Sequence, residues 1–179
     1  MDVIIRNETK KDYDQIRKIN DLAFKQENEG KMVDALRKTT DFNYLLSLVA
    51  EIKGEIVGHI LFYPLKIKNK NEEHTVLSLA PIAVHPKYQN KGIGSKLVKR
   101  GLEIAKDNGF DAVIVIGHPN YYPRFGFTPA KNWNIKLPFD VPDDVFLALE
   151  LKKDSLKNCS GTVEFTKEFF DAMQKDFFK

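Results

Sequence analysis

Val76–Arg100 reads V-L-S-L-A-P-I-A-V-H-P-K-Y-Q-N-K-G-I-G-S-K-L-V-K-R, and the order of its three parts decides the fold. Val76–Val84 is an apolar run rich in branched residues, long enough for a buried strand. His85–Asn90 is a short polar turn containing a proline that cannot continue a ladder. Gly92-Ile93-Gly94-Ser95 then opens a segment with apolar or small residues at Ile93, Leu97, Val98, Gly101, Leu102 and Ala105, the spacing of one helix face. A strand feeding a glycine turn at a helix start is a place to hold an anion. The first helical N–H groups lack internal partners, and the aligned peptide dipoles place about half a positive charge there. Between Lys87 and Leu102 stand Lys87, Lys91, Lys96, Lys99 and Arg100 and no acid, which suits a polyanion such as a pyrophosphate.

Two phosphate loops fail against this stretch. The pattern G-x-x-x-x-G-K-[ST] needs a second glycine followed by lysine, which is missing. The dinucleotide pattern G-x-G-x-x-G fails because Leu97 stands where the third glycine belongs. What remains is Gln89-x-x-Gly92-x-Gly94 after I-A-V-H-P, with Tyr121-Tyr122-Pro123-Arg124-Phe125-Gly126-Phe127 further on. Together these resemble the GNAT N-acetyltransferase superfamily, and the aromatic element and the chain length are most similar to its YhbS-like branch. The resemblance covers roughly Val3–Lys152. It implies an α/β (α+β) fold: a mixed, mostly antiparallel central sheet flanked by helices, with splayed parallel strands at the coenzyme cleft.

Composition sets outer bounds. At 179 residues, 42% hydrophobic and 30% charged, the chain is an ordinary globular one of a single domain. The resemblance implies an acetyltransferase domain at residues 1–152, with 153–179 a C-terminal extension of it that matches no motif. A net charge of +3, with cations interleaved with acids outside the loop and helix, does not favour nucleic acid. A nucleic-acid-binding helix would also want exposed aromatics, and Lys87–Arg100 offers only Tyr88. Cys159 is the one cysteine, so no internal disulfide forms. The charged N-terminus lacks a signal peptide's apolar core, and no apolar run reaches the ~18 residues of a membrane span. The expectation is a cytoplasmic protein without membrane or nucleic-acid partners; a homodimer stays open. No H-x-x-x-H, C-x-x-C or carboxylate cluster has metal spacing, so no metal is expected.

Along the chain, Val3–Arg6 reads as a strand, Thr9–Asp12 as a capping box, and Tyr13, Ile16, Ile19 and Ala23 as a helix reaching about Phe24. A short second helix is expected at Met32–Lys38. Leu45–Ile52, Lys53-Gly54 and Glu55–Lys68 form a hairpin, with Pro64 marking a bend or an edge. The glycine-loop helix runs to about Lys106 and stops at Gly109, and Asp111–Ile116 is a parallel strand reached by crossover. Tyr121–Phe125 makes at most a short helix. Phe146–Lys152 and Gly161–Phe165 are further strands, and Thr166–Phe178 is helical or loosely ordered.

The chemistry implied by the resemblance is attack of an amine on the thioester of acetyl-CoA. Ile82, Ala83 and Val84 would offer backbone groups to the pantetheine arm. The N–H groups of Asn90, Lys91, Gly92, Ile93, Gly94 and Ser95 would hold the pyrophosphate. Tyr122 matches the family's tyrosine facing the sulfur and is the catalytic candidate, as acid to the departing thiolate. Tyr121 is read as packing or a cleft wall; Arg124 either anchors the turn or touches the coenzyme. The base stays open: Glu72, Glu73 and His74 precede the central strand, Ser78 within it could order a water, and His118 could face the cleft; His85 and His59 read as structural. The rival function is a non-catalytic CoA or acyl-CoA-binding sensor or scaffold with the same fold.

Overall fold

Residues 2–177 are described by a computed structural model and divide into two compact units. The first unit holds residues 2–63, Ala80–Ile104 and 166–177. Its β1 (Ile4–Asn7) pairs antiparallel with β2 (Ser47–Ile52), and β2 pairs antiparallel with β3 (Glu55–Lys68). Lys53 and Gly54 both take positive φ, +50° and +81°, which is how a two-residue loop follows the twist of its strands. The end of β4 (Glu73–Val84) is tied to β3 by the His85 N–H, which donates to Val57 O at 2.8 Å.

Helix α1 (Tyr13–Phe24) starts where the Asp12 carboxylate accepts the Thr9 N–H at 2.7 Å and is gripped by Arg6 at 2.7 Å. It buries Ile16 and Ile19 completely. Burial of such a side chain is worth roughly 1.5–3 kcal/mol, so this pair alone fixes which face meets the sheet. Helix α3 (Ile93–Asp107) buries Ile93, Leu97 and Val98 in the same way. The C-terminal α4 (Lys167–Phe177) packs on α2 (Asn28–Leu36), and Phe169 meets Tyr63 with ring centroids 5.7 Å apart. Phe178, the end of the expected last segment, lies outside the described residues.

The second unit holds Pro64–Leu79 and Ala105–Phe165. There β4 pairs parallel with β5 (Ala112–Ile116) at Leu77↔Val113 and Ser78↔Ile114. Strand β8 (Phe146–Glu150) runs antiparallel to β5, with β6 (Thr128–Pro129) on its other side. The two-residue β7 (Ile135–Lys136) lies parallel to β9 (Gly161–Glu164), which pairs antiparallel with β3 at Lys66–Lys68. The sequence A-V-I-V-I of β5 has no polar position, as expected of a strand covered on both faces.

The nine strands among the described residues follow the order β1-β2-β3-β4-β5-β8-β6, with β9 on β3 and β7 on β9. This is the expected mixed α/β fold, with an open, mostly antiparallel sheet and four helices. Most expected elements fall within a few residues of the observed ones. Helix α2 departs further, starting at Asn28 rather than Met32. Gly30, expected in a polar connection, is buried where α2 presses on α1, and a Cβ there would collide with Arg17 and Asp21. Polar spacing hid a helix that sets this glycine against the side chains of α1. Pro64 lies between Leu61, the last β3 residue on β2, and Lys66, the first on β9, so its missing N–H breaks neither pairing.

Candidate active site

The glycine loop grows out of the end of β4. After Val84, Pro86–Tyr88 makes one 3-10 turn, and His85 caps it by accepting the Lys87 N–H on Nδ1 at 3.2 Å. Gln89 Nε2 donates back to Val84 O at 3.0 Å. The Lys91 ammonium donates to Lys87 O at 3.0 Å and stands 5.3 Å from the Tyr88 ring centroid. The turn is therefore held to the strand by its own side chains. Asn90 and Gly92 adopt φ of +60° and +80°, and a Cβ at Gly92 would meet nothing within 4 Å. Helix α3 begins at Ile93, with the Lys96 N–H closing on Gly92 O at 3.1 Å.

Among the described residues, the backbone N–H groups of Asn90 through Ser95 donate to no protein acceptor. Six consecutive donors thus stand at and just before the positive end of a fifteen-residue helix, with open space at Gly92. That combination can bind a multiply charged anion by backbone alone. Ile82, Ala83 and Val84 lead directly into it as the last residues of β4. Parallel pairing of β4 with β5 reaches only Ser78 and Ile114, although β4 continues to Val84 and β5 to Ile116.

In the second unit, Tyr122 opens a 3-10 turn, Tyr122–Phe125, closed by Gly126 at φ +95°. Its ring is packed edge-on by Tyr121 at 5.1 Å and Phe127 at 5.7 Å, and lies so close to Gly117 that a Cβ there would overlap it. Tyr122 is 6% exposed. Its hydroxyl makes no hydrogen bond among the described residues, yet it is not one of the sealed polar atoms lacking a partner, so the tip reaches open space. Burial, with Tyr121 adding to it, pushes the phenol above the ordinary tyrosine range. A group so placed stays protonated at neutral pH and can act as a donor. Arg124 stacks 4.6 Å over Tyr121 and donates to Asn120 O at 3.3 Å, which makes it an anchor of this turn.

The base candidates have different surroundings. Glu72 Oε2 lies 3.2 Å from His74 Nε2 at an exposed turn. Hydrogen bonds from Lys66 and then Lys68 lower the Glu73 pKa, so it stays a paired carboxylate. Ser78 is buried with no hydrogen bond from its hydroxyl among the described residues, and His118 is exposed. No group of three or more His, Cys, Asp or Glu among the described residues could hold a metal ion.

A buried polar chain in the first unit is absent from any sequence pattern. Arg37 grips Glu8 with Nε and Nη2, both at 2.9 Å, and the two side chains are 5% and 0% exposed. Ser47 Oγ donates to Glu8 Oε2 at 2.8 Å and stands 3.0 Å from His59 Nε2. Since that hydroxyl proton goes to Glu8, His59 donates from Nε2 and accepts on Nδ1 from Asn20 Nδ2 at 3.3 Å. Asn20 also donates to Ile16 O at 2.9 Å, which leaves its buried Oδ1 without a partner. Burial lowers the His59 pKa, keeping the ring neutral. For Glu8 burial works upward, but His59 and Arg37 outweigh it and hold the carboxyl at about 2. The residues lie at positions 8, 20, 37, 47 and 59, so only folding brings them together.

A family model described as an acetyltransferase (GNAT) domain matches residues 4–130. The chain belongs to the GNAT acetyltransferase family, and it is an enzyme of that class. Within the family it is YhbS-like. It is 36% identical over 136 residues to the uncharacterized N-acetyltransferase YjhQ of Escherichia coli (strain K12), covering 75% of each chain. It is 31% identical over 148 residues to YhbS of the same strain, covering 82% of this chain and 86% of that one. The crystal structure of Escherichia coli YhbS in complex with CoA matches with a TM-score of 0.86 at 29% identity, over 93% of this chain and 91% of that one. A GNAT family acetyltransferase from Brucella melitensis in complex with acetyl-CoA matches at 0.77 and 31% identity, over 94% and 98%.

Proposed function

We propose that this enzyme transfers the acetyl group of acetyl-CoA to a primary amine, by direct attack in a ternary complex. The observation that carries the reading is the run of six unused N–H groups from Asn90 to Ser95 at the start of α3. Relatives alike over nearly the whole chain bind CoA or acetyl-CoA, and this loop has the donors that a pyrophosphate needs. Ile82, Ala83 and Val84, leading into the loop, would run beside the pantetheine arm and present an N–H to the thioester oxygen as charge develops on it.

In the reaction the amine nitrogen bonds to the carbonyl carbon, the C–S bond breaks, the nitrogen loses a proton and the sulfur gains one. Tyr122 is the donor to sulfur in this reading, with its O–H kept intact by burial. Freeing the lone pair of an alkylamine of pKa near 10.4 at pH 7 costs about 4.6 kcal/mol, against about 1 kcal/mol for an α-amine. A side-chain amine acceptor therefore needs a base or an ordered water, and the Ser78 hydroxyl is suited to hold one.

The test is Gly94→Glu, which puts a side chain and a negative charge among the loop donors. Calorimetric titration with CoA should show affinity at least about tenfold weaker. A folded variant that binds CoA as the parent does would remove this loop as the pyrophosphate site.

A further inference from the structure

The second unit carries an open groove of about 960 Å³ bounded by the turn at residues 69–72, the turn at 132–134 and the loop at 150–160. Its lining has an uneven composition. Five of the chain's twelve asparagines stand in it, together with the one tryptophan.

Two of the lining side chains have structural roles. Asn69 accepts the N–H groups of Asn71 and Glu72 at 2.9 Å each and donates to Ser160 O at 2.7 Å, joining two walls. Glu150 accepts the N–H groups of Asp154 at 3.3 Å and Leu156 at 2.9 Å, shaping the third. A third, Glu72, is paired with His74 at 3.2 Å. The side-chain amides of Asn71, Asn132, Asn134 and Asn158 and the indole N–H of Trp133 make no hydrogen bond among the described residues. The walls are thus set by one group of residues, and a second group faces the groove with donors and acceptors free.

The ligand chemistry follows from what this second group offers. Amides present donor and acceptor together, so four of them suit a molecule rich in hydroxyl groups, each of which both donates and accepts. The part-exposed Trp133 indole is the flat apolar surface among them, fit to stack against the C–H face of a saturated ring. Charge does not favour an ion: Lys70 and Lys157 stand against Glu72, Glu150 and Asp154, so neither sign dominates. The volume is within the range of small-molecule sites. We propose that this groove is a second binding site, for a neutral sugar ring, with Trp133 as its stacking platform and Asn71, Asn132, Asn134 and Asn158 as its hydrogen-bonding rim.

The lone tryptophan supplies the assay, since its indole N–H gives a single resonance from inside the groove. The ¹H–¹⁵N signal of Trp133 in the full chain is followed during titration with glucose, N-acetylglucosamine, maltose and cellobiose. Glycerol at matched hydroxyl concentration and CoA serve as separate arms. The expected result is a saturable shift, with Kd in the millimolar range, for at least one sugar and for neither glycerol nor CoA. Asn132→Ala combined with Asn158→Ala, both exposed and without partners, should weaken that sugar roughly tenfold while the fold is unchanged. Trp133→Ala should abolish saturation transfer to it. The proposal is overturned if no sugar moves the resonance, if glycerol moves it equally, or if CoA alone does so, which would give the groove to the coenzyme.

Discussion

Tyr122→Phe is expected to lower kcat at least tenfold and leave CoA affinity nearly unchanged. The substitution removes the hydroxyl and keeps the ring that packs between Tyr121, Phe127 and Gly117, so the turn should survive. General acid assistance is typically worth about 10²–10⁴-fold. An interaction made only as the C–S bond breaks should appear in kcat and not in binding. The pH dependence carries the sign: the phenol's pKa lies above the tyrosine range, so the active protonated form persists through neutral and mildly alkaline pH. The comparison needs pre-steady-state kinetics, because slow product release would mask a slower chemical step. A burst as fast as the parent's would mean that the hydroxyl gives no proton to sulfur.

The second large effect is expected in stability, at the Glu8–Arg37 pair. Both side chains are buried, so removing one strands a charge in a medium that solvates it poorly. Arg37→Ala should cost about 3–5 kcal/mol, by the usual loss on breaking a buried pair. It also takes the guanidinium off the Tyr13 ring, 3.9 Å below, and off Asp34. Replacing both partners, as Glu8→Leu with Arg37→Met, should cost less than the single change, because no charge is then left unpaired. Urea denaturation would measure both. A loss below about 1 kcal/mol for Arg37→Ala would show the pair to be dispensable.

The same chain of groups sets an acid limit. His59 has a folded pKa below its ordinary 6.5, so the unfolded chain binds the extra proton first. Its contribution is complete above pH 6.5 and falls away as the pH drops below that. Glu8, at about 2 in the fold against 4.5, contributes fully above pH 4.5 and loses this between 4.5 and 2. The urea midpoint should therefore decline in two stages on acidification. A midpoint flat from pH 7 to 4 would contradict the buried neutral His59.

Much of the fold was legible because its determinants are local. The apolar run of β4, the turn after it and the 3.6-residue spacing of α3 lie within one stretch of 25 residues, so order alone implied a strand, an anion loop and a helix. The hairpin at Lys53-Gly54 was legible for the same reason: a two-residue turn containing glycine between two apolar runs leaves few alternatives, and the fold gives both residues positive φ. The Gln89-x-x-Gly92-x-Gly94 pattern and the Tyr122 element pointed to the family, which the match over residues 4–130 bears out.

Other features were decided by folding because their causes are not neighbours in sequence. Helix α2 begins four residues earlier than polarity suggested, and it packs on α1, with Gly30 against Arg17 and Asp21, across a surface that no local window contains. Glu8, Asn20, Arg37, Ser47 and His59 carry no motif, and any one of them read alone is an ordinary polar residue. They become a directed hydrogen-bond chain only when α1, the end of α2, the residue after β1, and β2 and β3 come together around them. The asparagine groove is likewise assembled from three separate loops. Local periodicity and turn chemistry fixed what each segment would become, whereas burial, which depends on distant partners, decided which polar groups are bonded to each other and which are left free to meet a ligand.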